Sequence, residues 1–380
     1  MEISNENARY YLNQRKLCFV THDFKFFRVF IFNLLASLAK SFDITVITDR
    51  SKVKKQDMDL ALRNNISVKH LEKRTSQGII RYLYSLRKSL TEVSPEHVFF
   101  TTVEISIFGA LASKFRSKYK THFIITGTGP ELLSRKIWHR FLRKIYLIIF
   151  KISSFKTNTD FIFQNTDDKA FFLRSGFSNS NNSYVIGHFG IKATCNIKNF
   201  FSTPVNFFVA ARLVRSKGFI ELFNATEDLA KLGLNFHVFI AGDESFESTD
   251  ALSLYERSLL NNSSYITYLG HIDYEEMSYY YQKFDVYILP SHREGLSTAA
   301  LEAAANGMPL IVTDAPGCIE CHNNNGFVVK AKDSEDLARA MRCFIDNPAL
   351  VKKFSQHSIN HIKHNYSTEI MHKAYVKIIG

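Results

Sequence analysis

The chain has 380 residues, 46% of them hydrophobic and 22% charged, a globular composition at a length beyond what one core usually supports, so two domains are expected. No run of 18 apolar residues occurs, and the first sixteen residues, MEISNENARYYLNQRK, lack the apolar centre of a signal peptide, so neither a spanning helix nor export is indicated and a cytoplasmic protein is expected. The net charge of +12 is uneven: residues 1–200 hold 32 Lys and Arg against 15 Asp and Glu, residues 201–380 hold 16 against 21, and the basic half suits an anionic partner such as nucleic acid, a membrane surface or a phosphorylated acceptor.

In chain order, Lys16 to Thr21 reads as a first parallel strand, a short apolar run ending at the polar His22-Asp23. Phe30 to Ala39 has helical periodicity. Strands at Ile44 to Thr48, Ser67 to Leu71, His97 to Thr101 and His122 to Thr126 follow, with helices at Gly78 to Leu90 and Ser106 to Lys114. This repetition of β and α elements predicts a doubly wound parallel sheet. Gly127-Thr128-Gly129-Pro130 comes after the last of these strands, where bare backbone can approach a diphosphate or an acceptor, or where the chain simply turns. Arg135 to Lys156 predicts a basic amphipathic helix, with Lys136, Arg140, Arg143, Lys144 and Lys151 on one side and Ile137, Trp138, Phe141, Ile145, Ile148, Ile149 and Ile152 on the other. Such a helix can lie on an anionic membrane surface or pack its apolar side on the sheet. Phe161 to Asn165 reads as a strand, with Thr166-Asp167-Asp168 capping a helix through Leu173.

Ala193 to Pro204 is polar and unpatterned, as a domain linker should be. The strand Asn206 to Ala210 then runs into Ala211-Arg212-Leu213-Val214-Arg215-Ser216-Lys217-Gly218 and a helix. Two cations beyond a strand end suit a diphosphate, Lys217 as a point charge and Arg212 as a planar fork, with Arg215 between them read as external. Strands are expected at Phe236 to Ala241, Ile266 to Leu269, Val286 to Leu289 and Gly326 to Val329, and helices at Tyr274 to Gln282, Ser334 to Asp346 and Tyr366 to Ile379.

The stretch Leu289 to Glu320, LPSHREGLSTAALEAAANGMPLIVTDAPGCIE, reads as strand end, loop, helix and strand. Ser297 or Thr298 can cap the helix, and Gly307 suits a left-handed stop ahead of Pro309. In such units ligands sit outside the carboxyl ends of the strands, where the helix dipole faces an anion. Glu294 precedes the helix and Glu302 stands about two turns into it, so both can border one cavity. A phosphate resting on the N–H groups of Gly295, Leu296, Ser297 and Thr298, with an acidic acceptor on either side, describes a nucleotide-sugar. Cys318-Ile319-Glu320-Cys321-His322 has the spacing of c-type haem attachment. Five cysteines form no even disulfide set, no export signal precedes them and no second ligand pair completes a zinc site, so the spacing is read as fortuitous and no metal is expected.

Glu294, seven residues, Glu302, and then AAANGMPLIVTDAPG resemble the E-x7-E signature region of retaining GT-B glycosyltransferases of family 4, the glycosyltransferase group 1 enzymes that include bacterial surface-polysaccharide types. Arg212 to Gly218 likewise resembles that family's Arg-x4-Lys-Gly diphosphate site. The resemblance implies an α/β GT-B fold: two Rossmann-like doubly wound parallel-sheet domains facing a cleft, with the C-terminal helix crossing back to the first. Residues 1–192, with a returning helix at about 364–380, would bind the acceptor, and residues 204–363 the nucleotide-sugar. The implied reaction moves a hexose or N-acetylhexosamine from a nucleoside-diphosphate sugar, UDP favoured, to a hydroxyl of a polyprenyl-diphosphate-linked glycan with retained configuration. Arg212, Lys217 and Glu294 would be catalytic, Gly295, Leu296, Ser297, Thr298 and Glu302 would bind the donor, and no metal or other cofactor is called for. Contact with an anionic membrane surface through Arg135 to Lys156 would place the enzyme peripherally on the inner face of the cell membrane, with no nucleic-acid partner.

Two departures stand out. His122 lies at the start of its strand, so no catalytic histidine carries over, and His188, Phe189 and Lys192 depart from the family's Gly-Ser-Gly-Val-Asp turn. The rival reading is a basic nucleic-acid- or membrane-binding protein on an inactive GT-B scaffold. A dinucleotide oxidoreductase would want G-x-G-x-x-G after the first strand, and Thr21 to Phe26 has no glycine.

Overall fold

The computed structural model describes residues 14–49, 55–71, 78–113, 118–128, 132, 137–154, 159–194, 197–198, 201–244 and 250–380. The chain forms two compact units, Met1–Gly190 with Met371–Gly380, and Ile191–Ile370.

In the first unit the strands are β1 (Lys16–Val20), β2 (Asp43–Asp49), β3 (Ile66–Leu71), β4 (His97–Thr101), β5 (Lys120–Ile125), β6 (Thr159–Phe163) and β7 (Ser183–Val185). They lie parallel in the order β3-β2-β1-β4-β5-β6-β7. The central ones read as continuous apolar runs because both their faces are covered by helices. Those helices are α1 (Phe32–Leu38), α2 (Lys55–Arg63), α3 (Ile79–Val93), α4 (Val103–Ser113), α5 (Ile137–Ser154) and α6 (Thr166–Arg174). The Asn165 side chain, not the Thr166-Asp167-Asp168 run, caps α6 by accepting from the Asp168 N–H at 2.7 Å. The high phenylalanine content builds the core: the Phe161 ring packs at a tilt 5.3 Å from Phe123 and edge-to-face 5.6 Å from Phe150, and Phe172 and Phe177 close the group.

Helix α5 divides differently from its wheel. Leu147, Ile149 and Phe150 turn inward to the core. Trp138, Phe141, Ile145 and Ile148 form a second, exposed apolar stripe on the outside, with Trp138 67% and Ile148 57% exposed and the rings of Trp138 and Phe141 stacked at 5.7 Å. Arg140, Lys144 and Lys151 are exposed, while Arg143 is half-buried and donates to the Leu132 carbonyl at 3.3 Å. The wheel put all the isoleucines together, but a helix lying on a sheet can bury only the narrow arc that faces it. Arg135, Lys136 and Lys156, and the side chains of Ile137 and Ile152, lie outside the described residues.

The second unit has β8 (Val205–Ala210), β9 (Phe236–Ala241), β10 (Ile266–Gly270), β11 (Val286–Leu289), β12 (Leu310–Thr313) and β13 (Gly326–Val329), parallel in the order β10-β9-β8-β11-β12-β13. Its helices are α7 (Phe219–Lys231), α8 (Leu254–Asn262), α9 (Met277–Lys283), α10 (Thr298–Ala305), α11 (Ser334–Asp346) and α12 (Leu350–His361), and α13 (Thr368–Ile379) ends the chain. Helices α8 and α12 go beyond the elements read from sequence, although α8 opens on a legible capping box, Ser253 with Glu256. The stretch read as a linker belongs to the second unit. Thr194 donates to the Ala305 carbonyl at 2.6 Å, and the Asp285 carboxylate accepts the N–H groups of Ser202 at 3.0 Å and Asn206 at 2.8 Å. Residues 195–196 and 199–200 of that stretch lie outside the described residues. The helix expected over Tyr366 to Ile379 is α13, which starts at Thr368 after a π turn over Ile362–Tyr366, and the chain rejoins the first unit at Met371.

Candidate active site

Strands β8 and β11 are neighbours whose successors wind outward in opposite directions, so the crevice at their carboxyl ends is the switch point of the second sheet. The loops leaving them, 211–218 and 290–297, are joined by the His292 N–H donating to the Ser216 carbonyl at 2.9 Å. Gly218 makes the approach possible. It sits at φ +77°, and a Cβ there would run into the Pro290 carbonyl, so no larger residue fits without moving one loop off the other. On the far side, the Leu213 and Arg215 N–H groups donate to the carbonyls of Asp243 and Asp250, each at 2.9 Å.

This packing brings Lys217 onto Glu294. Their Nζ and Oε1 atoms are 2.5 Å apart, with 19% and 14% of the side chains exposed. Such a half-buried pair presents a cation whose partner a bound diphosphate can replace, and an acid thereby released to accept a hydroxyl. Arg212 is not drawn in: it is exposed, and no hydrogen bond or ion pair joins its guanidinium to another described residue. Arg215 is external, as expected, and grips Glu256 through two bonds of 3.0 Å. A second pair escaped sequence reading, His292 Nε2 at 3.0 Å from Glu221 Oε1 on the first turn of α7. Nothing in the local pattern signals it, because only the meeting of the two loops puts them together.

Ser297 caps α10, its hydroxyl accepting from the Ala300 N–H at 3.4 Å. Its own N–H donates to the Gly317 carbonyl at 3.3 Å, so Ser297 is not among the backbone donors open to a phosphate, contrary to the expectation for that position. The loop after β12 thus competes for the donor. Glu294 donates its N–H to the Pro316 carbonyl at 2.9 Å, which fixes the loop at the acid itself. Gly307, at φ +78°, ends the helix in the left-handed conformation.

Glu302 is the fifth residue of α10, one turn in rather than two. Tyr281 donates to its Oε2 at 3.2 Å, and Tyr274 also hydrogen-bonds to the carboxyl. Burial pushes the Glu302 pKa up to about 7, and the two phenols pull against that shift. Tyr287, wholly buried in β11, donates to the Ala210 carbonyl at 3.1 Å. Its pKa is raised first by burial and further by both Glu294 and Glu302, so a single phenol feels the two acids and they share one neighbourhood.

Cys318 and Cys321 lie beneath the same loop, wholly buried, with their thiols 3.7 Å from the Ser291 carbonyl and 3.9 Å from the Ser297 carbonyl. Burial pushes Cys318 up to about 12, which suits packing and not ligation. Among the described residues no group of three or more His, Cys, Asp and Glu is placed to hold a metal ion. His271 is exposed, its Nδ1 2.6 Å from Asp243, and links the loops after β9 and β10.

In the first unit, His122 is buried between His97 at 2.9 Å and Asp160 at 3.2 Å, at the amino ends of the strands and so away from the ligand-facing loops. Burial lowers the pKa of both histidines, that of His97 to about 4. Thr128 is tied to Asp168 at 3.1 Å; Gly129 and Pro130 lie outside the described residues.

Residues 191–361 match the family model for glycosyl transferases group 1. The chain is 25% identical to the N,N'-diacetylbacillosaminyl-diphospho-undecaprenol alpha-1,3-N-acetylgalactosaminyltransferase of Campylobacter jejuni, over 79% of this chain and 81% of that protein. It is 24% identical to the capsular polysaccharide biosynthesis glycosyltransferase CapM of Staphylococcus aureus, over 42% of each. Its fold matches that of HepE from Anabaena, solved with UDP and glucose, with a TM-score of 0.75 at 15% identity over 96% of this chain and 99% of that one. The two doubly wound sheets are the GT-B fold. Residues 191–361, nearly the whole of the second unit, are thus what the chain shares with the glycosyl transferases group 1 family.

Proposed function

We propose that the protein is a retaining glycosyltransferase that moves a hexose or N-acetylhexosamine from a UDP-sugar to a hydroxyl of a polyprenyl-diphosphate-linked glycan during surface-polysaccharide synthesis. The observation that carries this is the Lys217–Glu294 pair at the switch point, its acid in the loop that leads into the helix bearing Glu302. The named activity of the Campylobacter relative supports the polyprenyl-diphosphate-linked acceptor, the name of the Staphylococcus relative supports surface-polysaccharide synthesis, and the UDP held by HepE supports the base.

In the reaction the bond from the anomeric carbon to the leaving diphosphate breaks, and a bond to the acceptor oxygen forms on the same face. The leaving phosphate takes the acceptor proton, so no separate base is required. Lys217 meets the negative charge that develops on the diphosphate, and Arg212, exposed and unpaired among the described residues, swings in as a second cation. Backbone at Gly295 and Leu296 meets the distal phosphate and sugar. Glu294, released by Lys217, accepts from the sugar hydroxyls, and Glu302 accepts from the ribose. The positive charge comes from the protein, so no resident metal or other cofactor is part of this mechanism.

A thermal-shift panel of UDP-, GDP- and ADP-sugars tests the donor reading. One base is expected to raise the melting temperature by several degrees, as a ligand at about a hundred times its Kd contributes roughly 2.7 kcal/mol. That shift should vanish in Lys217→Ala and Glu302→Ala; a shift that persists in both variants removes the site. Retention is checked by the anomeric coupling of the product in NMR.

The exposed stripe of α5, with Arg140, Lys144 and Lys151 beside it, supports peripheral contact with an anionic membrane on the cytoplasmic side. No helix among the described residues is long and apolar enough to cross a membrane. Trp138→Ser/Phe141→Ser is expected to weaken sedimentation with phosphatidylglycerol vesicles by about tenfold or more, given ~1.5–3 kcal/mol for a fully buried large apolar side chain. Unchanged sedimentation removes this surface from the reading.

A further inference from the structure

Glu302 has a polar setting that an acid merely bordering a cleft does not need. A carboxylate offers about four acceptor directions. Tyr281, only 2% exposed, donates to Oε2 at 3.2 Å from within α9, and Tyr274 bonds to the same carboxyl from the turn before that helix. Two directions remain, which is what a vicinal diol requires. Around the carboxyl, β11 contributes Tyr287, whose hydroxyl is engaged by the Ala210 carbonyl. Helix α12 and the turn after it, which pack on α10, carry His361 and Tyr366, but both turn to the Glu320 carbonyl, at 3.1 and 3.0 Å, and not to Glu302. No cation among these groups neutralises Glu302, so its phenols alone stabilise the ionised form against burial.

We propose that Tyr281 and Tyr274 are positioning residues for donor binding, their hydroxyls orienting the Glu302 carboxylate so that its remaining lone pairs receive the ribose diol. This rests on the reading of Glu302 as the ribose acceptor. Only the ionised carboxylate accepts from both hydroxyls while accepting from both phenols. With its pKa raised to about 7, Glu302 must lose a proton as the donor binds near neutrality, and affinity should rise with pH through that value. Removing one phenol takes away a donor that favours the charged form and moves the midpoint upward.

The probes are UDP-glucose, GDP-glucose and ADP-glucose, diphosphate diesters that do not themselves titrate between about pH 6 and 9. Calorimetry on the full chain in buffers of different ionisation enthalpy counts the protons released. The wild type is expected to release a fraction of a proton at pH 7 with the probe that binds, and Glu302→Gln none. Tyr281→Phe, nearly isosteric, should bind about five- to tenfold more weakly at pH 7 and recover towards wild-type affinity at pH 9, with Tyr274→Phe behaving alike. A loss that is equal at every pH, or an unmoved midpoint in both tyrosine variants, overturns the positioning role while leaving Glu302 as the acceptor. If Glu302→Gln binds and releases protons like the wild type, or none of the three probes binds, the underlying donor reading falls and this proposal with it.

Discussion

Replacing Lys217 by Ala is expected to lower kcat/KM by about a hundred- to thousandfold, the range found when one preorganised donor to a developing negative charge is removed. Two effects act together. The cation that meets the leaving diphosphate is gone, and Glu294, now a half-buried carboxylate without its partner, stands close to the incoming phosphates. Because the two side chains act as a pair, Lys217→Ala and Glu294→Gln should not add: the double variant is expected to be less impaired than the product of the single losses. Lys217→Arg should restore little, since a planar fork does not occupy the place of a compact ammonium 2.5 Å from its partner. Steady-state rates with the donor selected by thermal shift provide the check. A Lys217→Ala enzyme within tenfold of wild type would show that the pair at the switch point is an ordinary ion pair and not the diphosphate site.

The second large effect is on stability and is confined to the first unit. Phe161→Ala removes a wholly buried ring that touches Phe123, Phe150, Phe163 and Phe172, and should destabilise that unit by about 3–5 kcal/mol. At roughly 2–4 °C per kcal/mol for a unit of this size, its calorimetric transition should fall by about 10 °C. All the donor-site residues proposed above lie in the second unit, so protection of the second transition by the nucleotide-sugar is expected to persist. Loss of that protection in Phe161→Ala would mean that the donor site does not reside in the second unit alone.

Much of the fold was legible because its causes are local. Continuous apolar runs such as Cys18-Phe19-Val20 and Tyr287-Ile288-Leu289 identify strands buried on both faces, and a Ser before an alanine-rich run followed by Asn-Gly identifies where a helix starts and stops. The spacing of Glu294 and Glu302, and of Arg212 and Lys217, is likewise written in one dimension. Each short motif therefore resembled a family signature and fell at strand ends, where doubly wound sheets receive their ligands. What the chain order cannot express is which of those side chains meet.

Lys217 reaches Glu294 and Arg212 does not, because the two loops touch through Gly218 and Pro290 and present only one of the cations to the acid. Ser297 loses its N–H to the Gly317 carbonyl because a third loop, after β12, folds over the helix start. Tyr281 falls within the helix expected over Tyr274 to Gln282, yet nothing in that pattern shows that its hydroxyl reaches an acid 21 positions away. The stripe of α5 faces outward because the sheet beneath can cover only one arc of the helix. Periodicity, capping and turn chemistry act over a few residues, so the sequence by itself determined the elements, their order and the motif at each strand end. Ion pairs, shared hydrogen bonds and exposed faces depend on contacts between residues tens of positions apart, and only the packed chain decided those.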